Sequence, residues 1–140
     1  AFLAKKGNLE RFSFIQNTSS AKKDIFISNN IKDEDWENIH KSMIGVIENP
    51  KGTARRLRSL KNYTVAAKSG TVELVSTETK EDYKTIREVE DQRDHAIIIA
   101  FAPIPNPKYA ISVVIENGES GGSVAGPVAI EVLNSLIKNE

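Results

Sequence analysis

The sequence predicts an α/β (α+β) fold in which antiparallel strands are flanked by helices on both faces. Three observations carry this expectation. His95–Phe101 and Tyr109–Glu116 are apolar almost throughout, and strands without polar alternation need cover on both sides. Pro103–Pro107 turns the chain between them, so the second strand returns beside the first. Apolar residues then recur at helical spacing before and after the strands. With 140 residues, 39% of them apolar and 27% charged, the chain suffices for one core and is too short for two ordinary domains.

The elements follow in order. Ala1–Gly7 reads as the last turn of a helix, with Lys5 and Lys6 near its end and Gly7 at the stop. A helix that opens one turn before its end, without an initiator Met, suggests a piece of a longer chain. Arg11–Ile15 and Asp24–Ile27 alternate around the polar stretch Gln16–Lys23, which predicts a peripheral hairpin. Asp33 is expected to cap a helix through about Asn49, with Trp36, Ile39, Met43 and Ile47 on its apolar face and Asn49-Pro50 ending it. Trp36 fits a core anchor better than a ligand platform. The basic stretch 50–62, with Arg55, Arg56 and Arg58, is either a solvated loop or an anion-attracting rim beside a groove.

Tyr63–Val75 predicts a strand interrupted by Lys68-Ser69-Gly70-Thr71. The charged stretch 76–94, with a short helix over Glu81–Glu90, is a long excursion of the kind that is mobile or functional. Asn117–Ser123 is a Gly-rich loop opening the last helix, whose apolar stripe is read as Val124, Val128, Val132 (or Leu133), Leu136 and Ile137. The glycines at 118, 121, 122 and 126 lack the spacing of a phosphate loop.

Composition excludes several functions. Nineteen basic residues balance nineteen acidic ones, so no net field recruits nucleic acid. The absence of cysteine removes thiol nucleophiles, disulfides and cysteine-based zinc sites. No apolar run approaches the length of a membrane span. His95 is expected to bond a neighbouring loop and His40 to be partly buried or at the surface; a lone histidine is a poor metal site, and neither metal nor organic cofactor is expected.

The tetrapeptide Lys68-Ser69-Gly70-Thr71 has a chemical logic. Gly70 lets a ligand lie against the strand backbone. Ser69 and Thr71 offer hydroxyls, and Lys68 a cation, to a carboxylate. The Thr71 N–H can point at a developing oxyanion. Around it, Ile47-Glu-Asn-Pro-Lys-Gly-Thr53, Val65-Ala-Ala-Lys-Ser-Gly-Thr71, Arg93-Asp-His95 with Ala100-Phe-Ala-Pro103, and Val114-Ile-Glu-Asn-Gly118 follow one another in order and spacing. These stretches resemble the penicillin-binding proteins, most closely the elongation-type transpeptidases of class B.

The resemblance implies the C-terminal part of a serine transpeptidase domain spanning residues 1–140, with the nucleophile-bearing part upstream. It implies D,D-transpeptidation of peptidoglycan stem peptides through a serine acyl-enzyme, and acylation by β-lactams. Lys68 and the Thr71 N–H would be the catalytic groups, and Ser69, Gly70 and Thr71 the substrate-binding ones. It also implies a place on the periplasmic face of the bacterial inner membrane and a cell-elongation glycosyltransferase as partner. The family's nucleophile lies in Ser-x-x-Lys at the start of a buried helix. Ser19 and Ser20 lie instead in a polar turn, too close to Ser28-Asn29-Asn30 for the intervening helical subdomain, and Ser135-Leu-Ile-Lys138 ends a helix after the third motif. None is expected to be the nucleophile, so the chain alone should be inactive. The alternative is a non-catalytic partner or sensor module, with 51–58 and 76–94 as its interaction surfaces.

Overall fold

A computed structural model describes residues 1–9, 25–26, 31–75, 84–85 and 87–138. The chain opens on a hydrogen-bonded turn, with Gly7 N–H donating to Phe2 O (3.1 Å). Gly7 closes it at φ 87°, where a Cβ would come within 2.9 Å of the Trp36 ring. Strand β1 (Asn8–Leu9) pairs antiparallel with β2 (Ile25–Phe26). The expected partner run Arg11–Ile15 lies outside the described residues, as do Ser19, Ser20 and Ser28-Asn29-Asn30.

Helix α1 (Asp33–Glu48) buries Trp36, Met43 and Ile47, the expected face. Asp33 is not its cap: Lys32 holds that position without a side-chain bond, and Asp33, Glu34 and Asp35 form an acidic first turn that complements the helix dipole. Phe2 meets Trp36 edge-on at 5.6 Å, and His40 bonds Leu3 O (2.6 Å), so the N-terminal turn is clamped onto α1.

The basic stretch folds into a 3₁₀ helix, Arg55–Leu60, pinned by buried Leu57. Two of its cations serve the end of α1. Arg58 donates to Glu48 O, and Lys61, whose side chain is 3% exposed, lies 2.6 Å from Glu48 Oε1 and donates to Tyr63 O (2.8 Å). Cations suit a helix C-terminus, where carbonyls lack intrahelical donors.

Strands β3 (Ala66–Val72), β4 (His95–Ala102) and β5 (Tyr109–Ile115) form an antiparallel sheet in that order. Lys68 pairs with Ile99, Gly70 with Ile97, and Ala96 with Ile115. On one face Ala67, Ala96, Ile98 and Ala100 join the main core with Ile130 and Leu133 of α2 (Gly126–Lys138). On the other, Ala66 and Phe101 pack with Met43 and Ala4. Both faces of β4 are thus used.

β5 departs from the expectation of cover on both sides: Ala110, Ser112 and Val114 are exposed, while Ile111, Val113 and Ile115 pack on the main core. Among the described residues it ends the sheet, and α1 packs on β3 at the opposite end of the strand order. The stripe read for α2 also needs correction. Val124, Val128, Val132 and Leu136 are exposed, whereas Leu133, the alternative to Val132, is buried with Gly126, Ala129 and Ile130, and Ile137 packs against the core as expected. Both sets recur at helical spacing. The core selects the one with small residues because they let the helix approach closely: a Cβ on Gly126 would sit 2.8 Å from Cδ1 of Leu57 on the 3₁₀ helix.

Candidate active site

The turn after α1 brings Thr53 to β3. Gly52 N–H donates to Asn49 O (2.8 Å) and Ala54 N–H to Val46 O (3.0 Å), which folds 49–54 back along the helix end. Thr53 Oγ1 then lies 2.8 Å from Ser69 Oγ. A glycine pair seals the junction from the α2 side. A Cβ on Gly121 would fall 2.1 Å from Ile97 O and 2.6 Å from Gly70 O, and one on Gly122 would fall 2.4 Å from Thr53 O. Backbone here packs directly on backbone, which no other residue type permits.

All four predicted site residues lie on β3, at the sheet margin left unpaired among the described residues. Lys68 and Thr71 are exposed; Ser69 and Gly70 are half-buried. The Lys68 ammonium donates to Ser69 O. The space where a Gly70 side chain would project is open, with Ile97 Cβ 3.8 Å away as the nearest atom, so internal packing does not require glycine there. A groove of about 640 Å³ opens between Lys68 and the last turns of α1, lined also by Ser42, Gly45, Asn49 and Thr53. A separate polar hollow of about 210 Å³ joins Thr53, Arg55 and Arg56 to Gly122 and Ser123. The basic stretch is therefore divided: Arg58 and Lys61 brace α1, while Arg55 and Arg56 line a hollow next to Thr53. An apolar hollow of about 550 Å³ lies apart from these groups, between Ala1–Lys5 and Phe101–Ser112.

The two hydroxyls of the motif are not equivalent. Thr71 Oγ1 donates its hydrogen to Glu119 O (3.2 Å). Ser69 and Thr53 share one hydrogen bond in which either can donate, so the Ser69 hydrogen is available whenever Thr53 donates. His95 takes the expected structural role, its Nδ1 accepting the N–H of Asn117 (3.0 Å). Ser135 is exposed on the last turns of α2. Among the described residues no group of three or more His, Asp or Glu converges as a metal site. Thr53, Arg87 and Glu119 escaped sequence reasoning. Only the turn stretch ending in Thr53 offered any signal.

An exposed Lys-Ser-Gly-Thr strand is thus backed by a glycine wedge and by helices. A family profile described as the penicillin binding protein transpeptidase domain matches residues 1–134. Peptidoglycan D,D-transpeptidase MrdA of Haemophilus influenzae is 37% identical over 99 residues, covering 71% of this chain and 15% of that protein. MrdA of Escherichia coli K12 is 35% identical over 102 residues, covering 73% and 16%. The PBP2 of a Helicobacter pylori PBP2–MreC complex superposes with a TM-score of 0.76 at 28% identity over 98% of this chain and 23% of its own. Pseudomonas aeruginosa PBP2 in complex with WCK 5153 gives 0.67 at 29% identity, covering 96% and 27%. The chain belongs to the penicillin-binding transpeptidase family. It spans about one-sixth of the length of these curated relatives.

Proposed function

We propose that this chain is the carboxylate-binding and oxyanion wall of a D,D-transpeptidase that cross-links peptidoglycan stem peptides. The observation that carries the reading is the margin of β3, unpaired among the described residues, where Lys68 lines a groove together with Thr53, the hydrogen-bond partner of Ser69, and the space over Gly70 is open. A serine supplied by another part of the protein attacks the D-Ala-D-Ala carbonyl. Its oxygen bonds to the carbonyl carbon, the peptide C–N bond breaks and terminal D-Ala leaves. An amine of a neighbouring stem peptide then takes the acyl group and releases the serine. β-Lactams acylate the same serine.

The Ser69 hydroxyl and the Lys68 charge hold the terminal carboxylate. Thr71 contributes its N–H to the oxyanion, where loss of one donor typically costs about 2.7–4 kcal/mol of transition-state stabilisation. Its hydroxyl joins the carboxylate only by leaving Glu119 O. No cofactor enters this chemistry. The place of action is the periplasmic face of the inner membrane, with a cell-elongation glycosyltransferase as partner; the Helicobacter relative forms a complex with MreC.

The test is fluorescent β-lactam labelling of the intact protein that carries this chain. Ser69→Ala and Lys68→Ala should each slow labelling by about tenfold or more, the rate equivalent of losing a hydrogen bond to a charged group. Labelling that both variants leave unchanged would contradict the assignment, and an unlabelled wild type would favour a non-catalytic module.

A further inference from the structure

Glu119 has a backbone that glycine would serve better, and a side chain that explains why glycine is absent. Its φ is 59°, in the left-handed region that costs an ordinary residue of order 1–3 kcal/mol. All three of its polar groups are engaged, each with a different segment. The N–H donates to Asp94 O at the entry to β4 (2.8 Å). The C=O accepts the Thr71 hydroxyl on β3 (3.2 Å). The carboxylate receives Arg87 Nε on one oxygen and Arg87 Nη2 on the other (3.0 Å). Arg93 Nε in turn donates to Arg87 O (2.8 Å), which ties that segment back toward β4.

We infer that Arg87 and Glu119 form a positioning clasp for the oxyanion end of β3, resting on the transpeptidase reading above. The fork of Arg87 fixes the Glu119 side chain, hence the orientation of its carbonyl, hence the Thr71 hydroxyl that the carbonyl accepts. On that reading Thr71 is the residue whose N–H faces the oxyanion. The clasp thereby couples the charged excursion between β3 and β4 to the reacting carbonyl, although neither Arg87 nor Glu119 touches substrate.

Stability alone does not account for the arrangement. The side chains are 50% and 27% exposed, and ion pairs so open to solvent add little to folding. Hydrogen bonding from Arg87 holds the Glu119 carboxyl below the usual carboxylate range, so the pair is charged at neutral pH.

The test separates penicillin binding from acylation in the intact protein, by stopped-flow with a fluorescent penicillin. Glu119→Gly relieves the backbone and removes the carboxylate; Arg87→Glu reverses the cation. Each should lower the acylation rate constant about three- to fivefold, the rate equivalent of a partly exposed ion pair, and leave pre-covalent affinity within about twofold. The exchanged pair Glu119→Arg with Arg87→Glu should recover most of the loss. Glu119→Gly acylating as fast as wild type would overturn the clasp. So would an exchanged pair no better than its singles, or a loss confined to pre-covalent affinity. A wild type that takes no penicillin would overturn the transpeptidase reading and the clasp together.

Discussion

A hydroxyl that binds a carboxylate must donate its hydrogen to it, so the group on its lone pair decides whether it is ready to do so. For Ser69 that group is Thr53, at 2.8 Å, when Thr53 is the donor of their shared hydrogen bond. When Thr53 donates to Ser69, the Ser69 hydrogen is directed elsewhere, and Lys68 supplies the nearby charge. Thr53→Ala should therefore weaken β-lactam acylation about three- to tenfold through one lost hydrogen bond, and Thr53→Ser should recover most of it. Labelling kinetics of the two variants check this, and an alanine variant as fast as wild type would remove Thr53 from the site. Ser69 was singled out because the tetrapeptide itself suggests a chemistry. Thr53 was not, because its role depends on a fold that closes a sixteen-residue separation. Glu119 was less legible still, since nothing local marks a glutamate in a Gly-rich loop as a partner of Thr71.

At the scale of elements, the strands were read well and the last helix only half so. β4 and β5 followed from their apolar runs, and α1 from one unambiguous stripe. In α2 two stripes compete, and hydrophobic periodicity ranks the larger side chains first. The core takes Ala129 and Gly126, whose small size allows close approach (Gly126 against Leu57), together with Ile130 and Leu133. Leu133→Ala should cost about 2–5 kcal/mol of stability, while Val132→Ala on the exposed side should stay within about 0.5 kcal/mol. Thermal denaturation of the two variants distinguishes the faces, and equal losses would restore the valine stripe. Tyr63 adds a polar fastening to the same helix: its hydroxyl donates to Asn134 Oδ1 (2.9 Å), and Asn134 donates to Leu60 O (2.9 Å). Burial raises the pKa of that phenol, so it remains a donor through neutral pH.

Across the whole molecule, the antiparallel sheet follows from composition and pattern, and the family from motifs spread over most of the chain. The Lys68-Ser69-Gly70-Thr71 tetrapeptide lies on β3, at a margin unpaired among the described residues. Of the serines that mimic the first motif, Ser135 is exposed on α2, and Ser19 and Ser20 lie outside the described residues. Local strings alone could not separate these cases, because the nucleophile is defined by a lysine one helical turn away in a buried helix. The central claim is that this chain holds the substrate while the nucleophile resides elsewhere in the protein. Peptide mapping by mass spectrometry after penicillin acylation of the intact protein tests it most directly. The account predicts a penicilloyl adduct on a serine outside residues 1–140, diminished in Ser69→Ala and Lys68→Ala. An adduct on Ser19, Ser20, Ser69 or Ser135 would contradict it.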